Sequence, residues 1–230
     1  MAASKLVGKK LSASLSLTTS ELYSGDPNVK LTQDTINKVR IQANNIKKYD
    51  IYYVDYAGTV ESIKSTIEHF QTNVAKDRWL IVILDHTLLI RGQQGEGERM
   101  IIANLQRVLI EARKRGKTTI FQLSQLNRDI ESDNRIANHS MHFPMRKDLS
   151  TSDSVYQASD LVFVIHRPEI IGLTAYGIKG LPVKDLIYLH ILKQRDGEPK
   201  VLKFWNNLKH NTIEDEPPGN PMDPIETNLF

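Results

Sequence analysis

The sequence contains no cysteine, which excludes a disulfide framework and any metal site built on thiolates. It has no apolar run approaching the ~18 to 20 residues of a membrane span. The longest run, Trp79 to Leu84, suits a buried strand. The start, Met1-Ala2-Ala3-Ser4-Lys5, leads into mixed basic and apolar sequence and not into an apolar signal segment. A cytoplasmic location with no membrane partner is the natural reading. Seven histidines without a cysteine or a helical HExxH give no metal signature, His139 and His142 included. Ser124 sits in no nucleophile elbow, so serine-type hydrolysis is set aside. Residues 211 to 230 hold no Lys or Arg.

What is present is ordinary in amount and uneven in placement. The 230 residues suffice for one sizeable core, and nothing demands a second domain. The net charge is +3, but the last twenty residues carry five acids (Glu214, Asp215, Glu216, Asp223, Glu226), leaving +8 on residues 1 to 210. A basic body fits a polyanionic partner such as nucleic acid. The tail from Glu214, with four prolines among its acids, is expected to be flexible.

Along the chain, helices alternate with apolar strands. Ser4 to Leu15 has helical spacing, and Thr32 sits where an N-cap belongs for a helix reaching about Lys48. Asp50 to Asp55 (DIYYVD) predicts a strand. Val60, Ile63, Ile67 and Phe70 lie on one face of the next helix. Trp79 to Leu84, without alternation, predicts a central parallel strand buried on both faces. A Gly- and Gln-rich loop, Arg91 to Gly97, precedes a helix over Glu98 to Arg115 and a strand over Thr118 to Leu123. Ser124 to Asp153 is polar and shows no periodicity, so it reads as a functional or disordered loop. Asp160 to Ile165 is a further strand, and His166 after it reads as a hydrogen-bonded turn residue. Asp185 to Leu192 and Lys200 to Trp205 predict a closing strand pair around Asp196-Gly197. The pattern is that of an α/β domain with a mainly parallel sheet flanked by helices and a C-terminal strand pair. In such sheets ligands bind at the carboxyl ends of strands.

Asp85 closes the most apolar strand, as in a Walker B element, where a carboxylate holds the Mg²⁺ that bridges nucleotide phosphates. An ordinary strand-terminal Asp starting a turn is the plain alternative. The next strand is followed by Ser124-Gln125-Leu126-Asn127-Arg128, so Gln125 lies beside that carboxylate, within reach of a γ-phosphate or an attacking water. Lys193 and Arg195 are two apart, so on a strand they share a face. Gly116-Lys117-Thr118 is not the end of a P-loop. Glu111 stands where the first glycine belongs, and the glycine closes a helix where a P-loop glycine would open one.

The run SQLNR after a strand, Lys193-Gln194-Arg195-Asp196-Gly197 two strands later, and SVYQASD between them resemble DnaB-type replicative helicases over roughly residues 1 to 213. The resemblance implies a RecA-like ATPase fold and an ATP- and Mg²⁺-dependent motor that translocates on single-stranded DNA as a homo-hexamer. It implies Asp85 as the metal carboxylate and Gln125 as the phosphate sensor. Lys193 and Arg195 would act on a neighbour's nucleotide, Arg195 as the finger. It also implies that the P-loop and the glutamate that activates water lie outside this chain, the glutamate just before Met1, so the chain alone is expected not to hydrolyse ATP. Primase, loader and sliding clamp are candidate partners, the last through Asn228-Leu229-Phe230. The FPMRKD and HRPE runs suggest a tailed-phage source.

The resemblance fails at Ser150-Thr151-Ser152-Asp153, where the family's DNA-contacting loop has a different sequence. Arg146 and Lys147 just before it, and Arg91 and Arg99 flanking the Gly-rich loop, are then the candidate contacts to the DNA backbone. A non-catalytic RecA-fold module that binds DNA or a helicase ring is the competing reading.

Overall fold

The structure is a computed structural model that describes residues 3–26, 28–29, 31–56, 58–92, 95–149 and 153–215. The tail beyond Asp215, including Asn228-Leu229-Phe230, lies outside the described residues. So do residues 93, 94 and 150 to 152. The described chain divides into two compact units. One holds the residues up to Tyr56, Asp185–Ile187 and the segment from Lys203; the other holds Gly58 to Lys184 and Tyr188–Leu202.

The first unit opens with α1 (Ala3–Leu15), in the expected place. Gly8 is buried against Tyr23, and a Cβ there would collide with the Tyr23 hydroxyl. Short α2 (Thr19–Leu22) starts at a capping box. The Glu21 amide donates to Thr18 Oγ1 at 3.1 Å, and the Thr18 amide donates to Glu21 Oε2 at 2.7 Å. Helix α3 (Gln33–Ile46) is capped by Thr32, whose Oγ1 accepts from the Thr35 amide at 3.2 Å.

The expected strand over 50–55 is absent. Those residues join no ladder, and Ile51, Tyr52, Tyr53 and Val54 are exposed. β-propensity alone does not make a strand; a paired neighbour does, and no described strand supplies one.

In the second unit Thr59 caps α4 (Val60–His69), accepting from the Ser62 amide at 3.2 Å. The helix widens into a π turn over Phe70–Ala75. Strand β1 (Leu80–Leu84), helix α5 (Glu98–Arg115) and strand β2 (Thr118–Gln122) follow. β1 and β2 pair in parallel, Leu80 opposite Thr118 through Leu84 opposite Gln122. One face of this pair, Leu80, Val82, Leu84 and Ile120, packs on Val60, Ile67, Leu105, Leu109 and Ala112 from α4 and α5. Each large aliphatic side chain there contributes about 1.5–3 kcal/mol by leaving water. The expected burial of β1 on both faces does not hold, since Ile81 and Ile83 are 60% and 65% exposed. An apolar run marks both faces of a strand as coverable but does not itself supply a cover for each.

The stretch expected to be an irregular loop holds α6 (Asp133–Ile136) and several single turns, and α7 (Asp153–Ala158) follows it. Then come β3 (Leu161–His166), β4 (Leu186–Gln194), β5 (Lys200–Asn207) and an unforeseen short β6 (Thr212–Glu214). They form one sheet of order β3-β4-β5-β6, with β3–β4 and β5–β6 antiparallel. The α/β class therefore stands, but the mainly parallel sheet is corrected. Among the described residues, the parallel ladder is confined to β1 and β2.

Candidate functional site

Parallel pairing brings the ends of β1 and β2 to one edge. The Leu123 amide donates to the Leu84 carbonyl at 3.0 Å, and the Thr87 amide returns to the Leu123 carbonyl at 3.1 Å. The buried Thr87 hydroxyl also donates to that carbonyl at 2.9 Å and accepts from Gln122 Nε2 at 2.9 Å. This clasp ties the backbone on either side of Asp85 to Leu123, so that Asp85 and the Ser124-Gln125 segment leave the strand pair at the same edge. Both Asp85 and Gln125 are exposed. Among the described residues no three His, Asp or Glu side chains group to hold a metal. A cation at Asp85 would take its other ligands from phosphate and water, the habit of Mg²⁺.

The segment after Gln125 is bound to the Arg146-Lys147-Asp148 turn. Leu126 and Leu149 form an antiparallel bridge. The Asn127 amide donates to the Asp148 carbonyl at 2.7 Å, and Asn127 Nδ2 donates to the Lys147 carbonyl at 2.7 Å. Asp148 is fully buried. Its carboxylate accepts from Arg135 Nη1 at 2.6 Å, from Arg135 Nη2 at 3.0 Å and from the Met145 amide at 2.8 Å. Arg135 also donates to the Met141 and Phe143 carbonyls, at 3.1 and 3.0 Å. A buried charge is stable only when so thoroughly bonded. The turn thus presents Arg146 and Lys147, both exposed, from a rigid base.

Behind this base lies a buried cluster that the sequence reading missed. Tyr176 Oη stands 2.8 Å from His166 Nδ1 and 2.6 Å from His190 Nε2. His142, fully buried, stacks on His166 with centroids 5.5 Å apart and planes 12° apart. Neither His142 ring nitrogen has a partner among the described residues, nor has His190 Nδ1. Burial lowers the pKa of all three histidines, His166 to about 4 and His190 to about 3, so they are neutral near pH 7. The sequence gives no sign that His142 and His166 meet. Both are core residues, with His166 closing β3 and not serving as a turn residue.

Lys193 and Arg195 both reach the segment 156 to 160. Lys193 Nζ donates to the Tyr156 and Gln157 carbonyls at 2.7 and 3.1 Å, covering the carboxyl end of α7. Arg195 Nη1 pairs with Asp160 at 2.8 Å, and its side chain is 53% exposed. Arg146 Cζ and Lys193 Nζ lie 4.6 and 5.1 Å from the centroid of the Tyr156 ring. Tyr156 therefore joins the basic turn to the Lys193-Arg195 element, a role that its place in SVYQASD did not signal. Arg146 also bonds Asp153 at 3.0 Å. Arg91 and Arg99 are exposed, away from this cluster in sequence. Arg91 is anchored through its amide to the Gly58 carbonyl at 3.1 Å, and Arg99 lies in the first turn of α5.

A strand-end carboxylate, Asp85, thus shares one sheet edge with the Ser124-Gln125 segment, whose continuation is bonded to a basic turn, on an α/β fold. The chain belongs to the DnaB-like helicase C-terminal domain family, whose model matches residues 1–215. It is 31% identical over 130 residues to a replicative DNA helicase DnaB of Buchnera aphidicola subsp. Baizongia pistaciae. It is 25% identical over 171 residues to that of Mycobacterium leprae. Those matches take in 55% and 74% of this chain but 25% and 26% of the relatives, so the chain spans about a quarter of their length. Among solved structures, the fold is similar to an ATPase domain with TM-score 0.78 and 18% identity, over 94% of this chain and 72% of that one. It is also similar to a DnaB-like replicative helicase studied with primase, with TM-score 0.76 and 18% identity over 93% of this chain and 48% of that one. Among the described residues no helix is long and apolar enough to cross a membrane.

Proposed function

We propose that this chain is part of an ATP-driven replicative DNA helicase motor that translocates on single-stranded DNA as a hexameric ring. The P-loop and the water-activating glutamate would come from polypeptide outside it. The observation that carries the reading is the double hydrogen bond from Asn127 to the Lys147 and Asp148 carbonyls. It makes the sensor edge and the basic turn one mechanical piece.

In this reading Asp85 holds Mg²⁺, which would offset charge on the β- and γ-phosphates. Gln125 sits where it can detect the γ-phosphate. A small shift there is carried through Leu126 and Asn127 to Arg146 and Lys147, which grip the DNA backbone by charge. Arg91 and Arg99 add a second basic contact with the strand. Arg195 acts on the neighbouring subunit's nucleotide. Its ion pair with Asp160 is exposed and therefore weak, so the guanidinium can be exchanged onto phosphate at small cost. Lys193 serves the same element by holding the end of α7 in place beside it.

The test is Asp85→Asn in rings that include the P-loop polypeptide. Mg²⁺-dependent ATP hydrolysis and unwinding should fall by about a hundredfold or more, with assembly unchanged. Full activity in that variant would remove Asp85 from the site. The absence of GxxxxGK[ST] from these 230 residues favours a second reading, a non-catalytic DNA-binding module. That reading requires DNA binding indifferent to nucleotide in every assembly that contains the chain.

A further inference from the structure

At the opposite ends of β1 and β2 from Asp85 lies a cleft of about 390 Å³. Leu80 and Thr118, the first residues of the paired strands, both line it. Four residues of strand, roughly 13 Å at 3.3 Å each, separate it from the edge occupied by Asp85 and Gln125. Its lining holds Lys76, Arg78, Arg115 and Lys117 against a single acid, Glu68.

Local structure builds this concentration of charge. Helix α4 does not end in the ordinary way but widens into the π turn Phe70–Ala75, a form that recurs at functional sites. The turn closes on Lys76, held at φ 52°, which is unusual for a residue with a side chain. Gln71 crosses from the π turn to donate to the Ala112 carbonyl at 2.7 Å and to Thr118 Oγ1 at 2.9 Å. That leaves the Thr118 hydroxyl with its own proton to give. Lys117 Nζ donates to the Asp77 carbonyl at 2.9 Å and keeps further N–H groups. Arg115 is balanced by Glu68 and Glu111, and Arg78 Nη2 donates to the Val74 carbonyl at 3.1 Å. The surplus charge of the cleft therefore rests chiefly on Lys76 and Lys117.

We infer that the cleft between the π turn and the Gly116-Lys117-Thr118 step is a phosphate-binding site, separate from the candidate nucleotide edge. Converging cationic groups with a hydroxyl donor match tetrahedral anionic oxygens. The tripeptide fails as a P-loop, yet it contributes a lysine and a threonine to an anion cleft of another kind. The phosphate can come from a nucleic-acid backbone or from a free polyphosphate, and the two sources are separable.

The experiment uses the full 230-residue chain at low salt with two probes, a fluorescently labelled oligothymidylate and inorganic pyrophosphate. Both are tested against the chain as it is, against Lys76→Glu/Lys117→Glu, and against Arg146→Glu/Lys147→Glu. These positions are exposed, and circular dichroism checks that each variant folds. If the source is backbone phosphate, Lys76→Glu/Lys117→Glu should weaken oligothymidylate about tenfold and flatten the slope of log K against log salt by ~1 to 2. If it is free polyphosphate, pyrophosphate should bind, and only the cleft variant should abolish that binding. Failure of Arg146→Glu/Lys147→Glu to change DNA binding would count against the basic turn and leave the cleft standing. The cleft inference is wrong if the intact chain binds neither probe. It is equally wrong if Lys76→Glu/Lys117→Glu binds both as the intact chain does.

Discussion

Asn127 donates twice to the turn that carries Arg146 and Lys147, through its amide to the Asp148 carbonyl and through Nδ2 to the Lys147 carbonyl, each at 2.7 Å. Only the second of these depends on the side chain, whose Oδ1 also accepts from the Asp129 amide at 3.1 Å. Asn127→Ala loses both side-chain bonds and should cost about 1–2 kcal/mol of stability. In assembled rings it should lower DNA stimulation of ATP hydrolysis more than the basal rate. A steady-state ATPase assay with and without single-stranded DNA reads this, and an unchanged ratio would mean that Asn127 serves stability alone.

Asp148 and Arg135 form a buried bidentate pair, with side chains 0% and 6% exposed. Removing one partner strands the other charge in the core. Asp148→Ala should destabilise by about 3–5 kcal/mol, read from urea unfolding. Asp160, half-exposed and paired with both Arg195 and Arg113, is the internal control, and Asp160→Asn should cost about 1 kcal/mol or less.

The cluster of His142, His166, His190 and Tyr176 predicts an acid-sensitive fold. Its histidines titrate below their ordinary pKa, so between pH 6.5 and about 3 to 4 the unfolded chain binds protons that the folded chain refuses. Stability is therefore full above pH 6.5 and falls on acidification through that window, by an amount on the order of a few kcal/mol. Urea midpoints at pH 7.5, 6 and 5 test the sign. Tyr176→Phe, which removes the hydroxyl between His166 and His190, should cost about 1–3 kcal/mol at neutral pH.

Elements with their own signals are legible in the sequence. Helix α5 is legible because an apolar stripe runs between Gly97 and Gly116, and α3 because Thr32 caps it. Features that depend on a distant partner are not. The 50–55 segment has strand-like residues and no described strand beside it, and Ile81 and Ile83 have apolar side chains that no described element covers. Order in the 124–149 stretch comes from Arg135 meeting Asp148 thirteen residues away, a relation without periodicity. The histidine cluster gathers rings from two strands and two irregular segments, so no local window contains it. That Asp85 and Gln125 fall at one sheet edge is legible because parallel strands align their ends. The bonds from Lys193 to the end of α7 are not, because nothing local to either segment announces the other.

Lys193 and Arg195 separate by what they hold. Lys193→Met removes two bonds to the end of α7 and should lower stability by about 1–2 kcal/mol. Arg195→Ala should leave stability within about 0.5 kcal/mol, since surface changes of this kind rarely cost more. Thermal unfolding of the two variants separates what each side chain gives the fold from any action on a neighbour's nucleotide.

Arg195→Ala subunits are mixed in increasing proportion with intact ones, in rings that include the P-loop polypeptide, and ATP hydrolysis is measured per ring. If Arg195 completes a neighbour's site, each altered subunit disables a site other than its own, and activity falls more steeply than the fraction of altered subunits. Activity that declines in simple proportion to the intact fraction would contradict a role in trans.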